Sequence, residues 1–316
     1  MIKNRKSFIV GSRSTILSKK ERIFLKKYKP WGVILFSRNL KNFNQIKNLT
    51  LSIKSIFKDK KYPILIDQEG GRVNRLYNLI ESSSFTGKYF GNLYKMNKFK
   101  FYNYFKIYIN QTSYLLNQLG ININTVPVLD VRRKKTSSII GDRSYSSDPR
   151  KISIIGNYCI KEFAKKKIGT VIKHIPGHGL AKVDSHKKTP IVKENKKYLL
   201  KNDFLTFKKK NSFFAMTAHI IYNDIDSLNT ATHSKKIIKL IRKQIGFKNI
   251  IMTDDISMKA LKGNIKSNTL NAISAGCNLI LHCNANYSQM KIVAENTPIL
   301  DKFLIKKTSQ FYNFLS

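Results

Sequence analysis

The sequence is poor in acidic residues. Its 316 residues include 18 Asp and Glu against 59 Lys and Arg, a formal net charge of +41. Taken alone, this excess indicates a nucleic acid or an anionic surface as partner. However, the basic residues are mostly Lys, lie along the whole chain and accompany many Asn, Ile, Tyr and Phe. These residue types all have AT-rich codons, so compositional drift accounts for the charge without a ligand.

Nucleotide- and nucleic-acid-binding motifs are missing as well. The chain has no Arg-rich stripe, no zinc-ligand spacing and no helix-turn-helix pattern. It also lacks the GxGxxG and GxxxxGK[ST] patterns of phosphate-binding loops. We therefore expect no specific nucleic-acid partner. A basic nucleic-acid-binding protein stays open as an alternative of another class, and affinity with some sequence or structural preference would reveal it.

Cysteine is scarce. Cys159, Cys277 and Cys283 are odd in number and have no metal or redox spacing. We expect three ordinary buried thiols in a reducing compartment. Linkers, repeats and low-complexity segments are absent too, which favours one domain over residues 1–316.

No long hydrophobic run is present. The basic N-terminus is followed by only three apolar residues, 8–10, which is too short for the core of a signal peptide. No later stretch approaches the ~20 apolar residues of a membrane span. The sequence thus predicts a soluble, cytoplasmic protein.

Short apolar runs alternate with helical patterns along the chain. Strands are predicted at residues 8–10, 31–36, 63–66, 121–128, 169–172, 213–218, 249–252 and 278–281. Helices are predicted at 19–27, 43–57, 99–119, 148–166, 196–210, 234–245, 256–276 and within 290–314. Eight alternating units favour a single-domain (β/α)8 barrel over a doubly wound sheet.

Polar motifs follow three of these strands. Asp254 and Asp255 end the run at 249–252, Lys173 and His174 end the fifth strand, and Asp67 ends the third. Each has a plain structural interpretation: the paired acids suit a helix N-cap, and His174 suits a satisfied core histidine. Together they are more informative, because the carboxyl ends of parallel strands form the active-site face of a barrel.

The motifs occur in a specific order. They are Asp67-Gln-Glu-Gly-Gly-Arg-Val73, Lys173-His-Ile-Pro-Gly-His-Gly179, Asp184-Ser-His186 and Thr253-Asp-Asp-Ile-Ser-Met258. This combination resembles the family 3 glycoside hydrolases of the bacterial β-N-acetylglucosaminidase branch. The resemblance extends roughly from residue 31 to residue 284.

The resemblance implies a retaining exo-β-N-acetylglucosaminidase of cell-wall recycling. Its substrates would be N-acetylglucosamine-anhydro-N-acetylmuramyl peptides, and it would work as a monomer without a metal or organic cofactor. Asp254 matches the nucleophile, His186 the general acid/base and Asp184 the partner of that histidine. The residues matching those that hold N-acetylglucosamine are Asp67, Arg75, Arg143, Lys173 and His174.

The chemistry of these residue types agrees with the resemblance. A retaining glycosidase needs a carboxylate nucleophile and a second group that first donates and then accepts a proton. No second acidic motif is apparent, but a histidine titrates near neutrality and a carboxylate such as Asp184 can orient it. Gly177 and Gly179 indicate a mobile loop. A histidine would not repel phosphate, so a phosphorylase using the same site stays open.

Two features depart from the family pattern. The first strand, residues 8–12, lacks an acidic residue at its end, and residues 131–135 are unusually basic beside the expected site. Both differences affect the expected loops and aglycone preference. Neither affects the positions matched to catalysis.

Overall fold

A computed structural model of the protein describes residues 2–133, 138–185 and 187–316. The strands are β1 Lys6–Gly11, β2 Pro30–Leu35, β3 Ile64–Ile66, β4 Ile123–Asn124, β5 Gly169–Ile175, β6 Ile191–Val192, β7 Phe214–Thr217, β8 Ile221–Tyr222, β9 Ile250–Asp255 and β10 Leu279–His282. Eight of them close a parallel barrel in the order β1-β10-β9-β7-β5-β4-β3-β2, while β6 pairs with β8. The predicted (β/α)8 barrel is confirmed.

Helices surround the barrel. They are α1 Lys19–Tyr28, α2 Phe43–Phe57, α3 Gly87–Met96, α4 Lys98–Gln118, α5 Pro149–Lys165, α6 Lys196–Lys201, α7 Lys235–Leu240, α8 Ile265–Ala275, α9 Tyr287–Asn296 and α10 Lys302–Phe314. Several begin where the sequence predicts: Asp148 caps α5 ahead of a proline at its first position. In the part of the chain that the structure describes, no helix is long and apolar enough to cross a membrane.

The structure corrects some predicted boundaries. The helix predicted from residue 256 begins only at Ile265, because Asn264 caps it by accepting a hydrogen bond from Ser267 N. The helix predicted over 196–210 ends as α6 at Lys201. The predicted fourth strand, 121–128, is reduced to β4 at Ile123–Asn124, with one further isolated parallel bridge between Val128 and Lys173. Sequence analysis missed α3 and the small sheet of β6 and β8.

The barrel interior is filled by alternate residues of the strands. Among them are Leu65 of β3, Val171 of β5 and Met252 of β9, all fully buried. Successive side chains of a strand point to opposite faces. The same alternation therefore turns Asp67, Lys173 and Asp254 toward the barrel axis, two residues further on at the carboxyl ends.

Helix α10 closes the opposite end of the barrel. Its Phe311 packs against Phe214 with ring centroids 5.1 Å apart, and Phe214 in turn packs against Trp31 at 5.4 Å. The indole Nε1 of Trp31 donates a hydrogen bond to Thr308 Oγ1 at 2.9 Å. One end of the barrel is thus a hydrophobic floor, and the polar chemistry lies at the other.

Candidate active site

A cavity of about 290 Å³ opens at the carboxyl ends of the barrel strands. This size is at the lower end of the range for ligand pockets. The lining residues are Ile34, Asp67, Glu69, Arg72, Val73, Arg75, Ile139, Arg143, Lys173, His174, Met216, Asp254, Leu281 and Cys283. The cavity therefore brings together Asp254 and all five residues predicted to bind the sugar.

Asp254 and Asp255 differ in what they contact. The carboxylate of Asp255 accepts hydrogen bonds from Ser257 N at 3.1 Å, Ser257 Oγ at 2.8 Å and Cys283 N at 3.2 Å. Asp254 Oδ1 accepts one from Asp255 N at 2.8 Å. Its Oδ2 lies 4.0 Å from Nε2 of His174 and accepts no hydrogen bond from a described residue. Asp255 thus shapes the turn, whereas Asp254 presents a carboxylate oxygen to the cavity.

The position of His174 is set by Asp130. The carboxylate of Asp130 is fully buried and lies 2.6 Å from Nδ1 of His174. It also accepts hydrogen bonds from the backbone N of His174 at 3.2 Å and of His178 at 2.6 Å. This contact fixes the imidazole so that Nε2 points at Asp254.

Lys173 lies at the centre of an ionic network. Its Nζ is 2.7 Å from Glu69 Oε1 and 3.1 Å from Asp67 Oδ1, and it donates to Thr125 Oγ1 at 2.9 Å. Glu69 also accepts two hydrogen bonds from Arg143, each 2.8 Å long. Buried charges of opposite sign are therefore paired along one wall of the cavity.

This network keeps its acids ionised. Burial alone would raise the pKa of Asp67, but Lys173 and Arg75 hold it well below its usual value. Burial likewise opposes the effect of Arg143 and Lys173 on Glu69, yet these cations lower the pKa of Glu69 to about 2. For Asp254, burial is outweighed by His174 and His219, so its pKa is also lowered. All three carboxylates are anionic at neutral pH.

Most of the chain matches one known protein family. Residues 10–305 match the model described as the glycosyl hydrolase family 3 N-terminal domain. The protein is a family 3 glycoside hydrolase. The match includes the end of β1, the other seven barrel strands and every described residue of the cavity.

Relatives and solved structures agree with the family 3 assignment. A β-hexosaminidase of Nitrosomonas eutropha is 31% identical over 85% of this chain and 78% of its own length. A β-hexosaminidase of Actinobacillus pleuropneumoniae is 34% identical over 80% of this chain and 74% of its own length. The crystal structure of NagZ from Neisseria gonorrhoeae in complex with N-trifluoroacetyl-D-glucosamine superposes with a TM-score of 0.87 at 25% identity. That likeness covers 99% of this chain and 90% of the other.

Two arginines shape the rim of the family 3 cavity. Arg75 lies 3.5 Å from Asp67 Oδ2, and its guanidinium is 5.6 Å from the ring centre of Phe36. Arg72 Nε is 3.0 Å from Asp142 Oδ1, and its Nη2 donates to the carbonyl of Ile139 at 2.7 Å. Arg72 therefore holds the segment that contains Ile139, and Ile139 forms part of the cavity wall.

The segment predicted to carry the acid/base is only partly described. His186 lies outside the described residues. Asp184 is partly buried, its carbonyl accepts hydrogen bonds from Lys187 N and Lys188 N, and it does not line the cavity. Ser185 is buried, with its Oγ 3.2 Å from His178 Nε2 and its carbonyl accepting from Ala260 N at 3.1 Å. The segment is thus attached to the loop that follows Asp254.

Sequence analysis missed several residues of the site. Glu69 and Asp130 were visible as acids at strand ends, but nothing in the sequence identified their partners. Cys283 was predicted to be an ordinary buried thiol, yet it is partly exposed and lines the cavity. It follows Leu279 and Leu281, which point inward, so period-two alternation could have placed it there.

The described residues offer no metal site. Across residues 2–133, 138–185 and 187–316, no three His, Cys, Asp or Glu side chains are arranged to hold a metal ion. Most polar groups of the cavity are paired with one another by hydrogen bonds and ion pairs, but among the described residues Asp254 Oδ2 accepts no hydrogen bond and the buried Nε of Arg75 donates none. As described, the cavity is suited to an uncharged polar ligand that exchanges hydrogen bonds with these groups.

Proposed function

We propose that this protein is a retaining exo-β-N-acetylglucosaminidase. It removes terminal N-acetylglucosamine from muropeptides in the cytoplasm, as one catalytic barrel domain over residues 1–316. The observation that carries the proposal is the contrast between the cavity acids. Asp67 and Glu69 are bound to cations, whereas Asp254 lines the cavity with one oxygen, Oδ2, that accepts no hydrogen bond from a described residue.

Asp254 acts as the nucleophile. Its carboxylate is ionised and lines the cavity, where it can attack the anomeric carbon and form a glycosyl ester. His174, held by Asp130, lies beside the attacking group and limits its orientation. Asp255 is excluded from this role because both of its oxygens are used by the turn.

The proton is handled by His186 with Asp184. A general acid must still carry its proton near neutral pH, and the lowered pKa values of Asp67 and Glu69 disqualify both. Neither acid of the network can therefore serve as the second carboxylate of an ordinary retaining pair. The Asp184-Ser185-His186 segment adjoins the loop after Asp254 through the contact between Ser185 and Ala260. This supports a histidine acid/base delivered from that segment.

The sugar is held by the ionic network. Asp67 and Glu69 can accept hydrogen bonds from sugar hydroxyls, and Lys173, Arg75 and Arg143 can donate them. The cavity has room for a small ligand rather than an extended chain, which favours exo cleavage of a single terminal residue. The NagZ structure from N. gonorrhoeae was obtained with N-trifluoroacetyl-D-glucosamine, and this supports an N-acylglucosamine as the glycone.

Aryl glycosides provide the deciding assay. We expect release of the aryl alcohol from the N-acetyl-β-glucosaminide and much slower release from the matching β-glucoside. The product should be free N-acetylglucosamine, with no sugar phosphate when phosphate is added. Accumulation of the 1-phosphate would identify a phosphorylase instead. Equal rates on both glycosides would contradict the proposed substrate class.

A further inference from the structure

We propose that His219 is a positioning residue that holds the peptide beside the nucleophile through a hydrogen bond to the carbonyl oxygen of Asp255. This inference rests on the proposed function, because it takes Asp254 as the attacking group. The described lining of the cavity does not include His219. Its contribution is therefore indirect, through the backbone that carries Asp254.

His219 acts where the ladder between β7 and β9 has ended. The two strands are paired from Phe214 with Ile250 to Met216 with Met252. Asp254 and Asp255 lie beyond that last pair. Nε2 of His219 is 3.0 Å from the carbonyl oxygen of Asp255 and so extends the connection between the strands by a side chain. This contact lies one residue beyond the nucleophile.

The hydrogen-bonding partners of His219 define its tautomer. A carbonyl oxygen only accepts, so Nε2 carries the proton and Nδ1 of the neutral ring must accept. Thr232 Oγ1 lies 2.7 Å from Nδ1 and in turn 2.8 Å from Thr217 Oγ1. The carbonyl of Ala218 is a longer alternative for the Thr232 proton, at 3.2 Å. Along the shortest contacts, Thr217 donates a hydrogen bond to Thr232, Thr232 donates to His219, and His219 donates to the carbonyl of Asp255.

The surroundings of His219 favour the uncharged ring. The side chain is 1% exposed, and burial lowers its pKa. A neutral imidazole can donate from Nε2 to the carbonyl oxygen of Asp255. The carboxylate of Asp255 is fixed at the same time by Ser257 and Cys283. Hydrogen bonds therefore hold Asp255 at both its carbonyl oxygen and its side chain. The backbone that carries Asp254 is fixed as a result, and this sets the direction of the Asp254 carboxylate.

Two substitutions at His219 separate positioning from simple packing. His219→Leu removes the donor, whereas the amide N–H of His219→Gln can still reach the Asp255 carbonyl. We expect the leucine variant to slow formation of the glycosyl-enzyme by up to about 100-fold, since small misplacements of a reacting group have effects of that size. Affinity for N-acetylglucosamine should change less than about twofold, because the binding groups are untouched. The glutamine variant should recover most of the rate.

A second pair of variants covers the case in which His219→Leu fails to fold. Thr232→Val removes the hydroxyl that sets the tautomer, and Thr232→Ser retains it. The valine variant should slow the same step while the serine variant stays close to wild type. His233→Leu is the matched control, because His233 Nε2 also contacts a backbone carbonyl, but that of Asn268 at 3.1 Å rather than that of Asp255. It should leave the rate unchanged.

The possible results distinguish this inference from the proposed function. If the wild type forms no covalent adduct at Asp254, the proposed function is wrong. If the adduct forms but the leucine and glutamine variants are slowed equally, the positioning role is wrong. A loss explained wholly by weaker sugar binding, or equal rates for Thr232→Val and Thr232→Ser, would also overturn it.

Discussion

Glu69 and Arg143 form a bidentate ion pair in the wall of the cavity, with both hydrogen bonds 2.8 Å long. Lys173 binds the same carboxylate at 2.7 Å. Two cations that the resemblance assigns to sugar binding are thus held in place by an acid to which it assigned nothing. Removing Glu69 leaves both of them without their shared partner.

The substitution Glu69→Gln should therefore destabilise the protein as well as impair it. Breaking a buried ion pair by neutralising one partner costs about 3 kcal/mol, because an uncompensated charge stays buried. Urea denaturation at neutral pH measures this loss. Glu81→Gln is a suitable control, since Glu81 is exposed on the surface, and it should behave as wild type. Equal stability of the Glu69 variant and the wild type would show that the pair contributes no net stability.

Arg143→Ala tests the same pair from the other side. It should weaken N-acetylglucosamine binding, by about 1–3 kcal/mol if a hydrogen bond to the sugar is lost. The effects of Glu69→Gln and Arg143→Ala on stability should be coupled, because the two side chains are in direct contact. The variant that carries both substitutions should therefore lose less stability than the two single variants do in sum. Titration calorimetry gives the affinity, and denaturation gives the coupling. Unchanged sugar affinity would limit Arg143 to a structural role.

Asp254→Asn should abolish turnover without unfolding the protein. An amide cannot form the glycosyl ester, so we expect a loss on the order of 10⁴-fold or more. A 2-fluoro sugar that traps the covalent intermediate should label Asp254 in the wild type, as read by peptide mass spectrometry. Labelling of Asp255 would reverse the assignment that their contacts support. Asp255→Asn should instead lower stability, since its carboxylate closes the turn.

His178 predicts a pH dependence of stability. Burial and the nearby His174 lower its pKa to about 4, against about 6.5 in an unfolded chain. Between these values only the unfolded state binds the proton, so the contribution is complete above pH 6.5 and is lost as pH falls toward 4. From pH 7 to pH 5 this group should remove about 2 kcal/mol of stability. In His178→Gln the drop over that interval should be smaller, and an identical slope would contradict the prediction.

His186→Ala tests the proposed acid/base. The variant should be slow on disaccharides, whose leaving group needs a proton, and much less impaired on activated aryl glycosides. Azide should partly restore the second step, because a nucleophile that needs no deprotonation replaces water. Asp184→Ala should show a weaker form of the same pattern. An equal loss across leaving groups of widely different basicity would exclude the role.

Local patterns were sufficient for much of the fold. The alternation of strands and helices predicted the barrel, and the cap at Asp148 marked the start of α5. Helix α3 was missed because glycine disfavours helices, and Gly87 and Gly91 occur within it. The structure explains both glycines. A Cβ at Gly87 would lie 2.1 Å from the carbonyl oxygen of Arg143, and a Cβ at Gly91 would lie 1.5 Å from that of Tyr145. A contact between distant segments decides that helix, and no local pattern reports it.

Part of the candidate site could likewise be predicted from local sequence patterns, and part depends on contacts between distant segments. The motif that ends β9 was recognised, and strand alternation alone would have separated Asp254 from Asp255, because Met252 faces inward. The partners of Glu69 could not be read from the chain, since Arg143 lies 74 residues away and Lys173 further still. The same holds for His219, whose role depends on a carbonyl oxygen that no sequence motif marks.

The hydrophobic floor formed by Trp31, Phe214 and Phe311 limits how far the chain can be truncated from its C-terminus. Cutting the chain before Lys302 would leave the rings of Trp31 and Phe214 facing water at the closed end of the barrel. Phe214 is separated by a single residue from Met216, which lines the cavity. A deletion far from the catalytic motifs would therefore disturb the strand that supports them. The final helix belongs to the catalytic unit, and expression tags or fusion partners are better joined after it than in place of it.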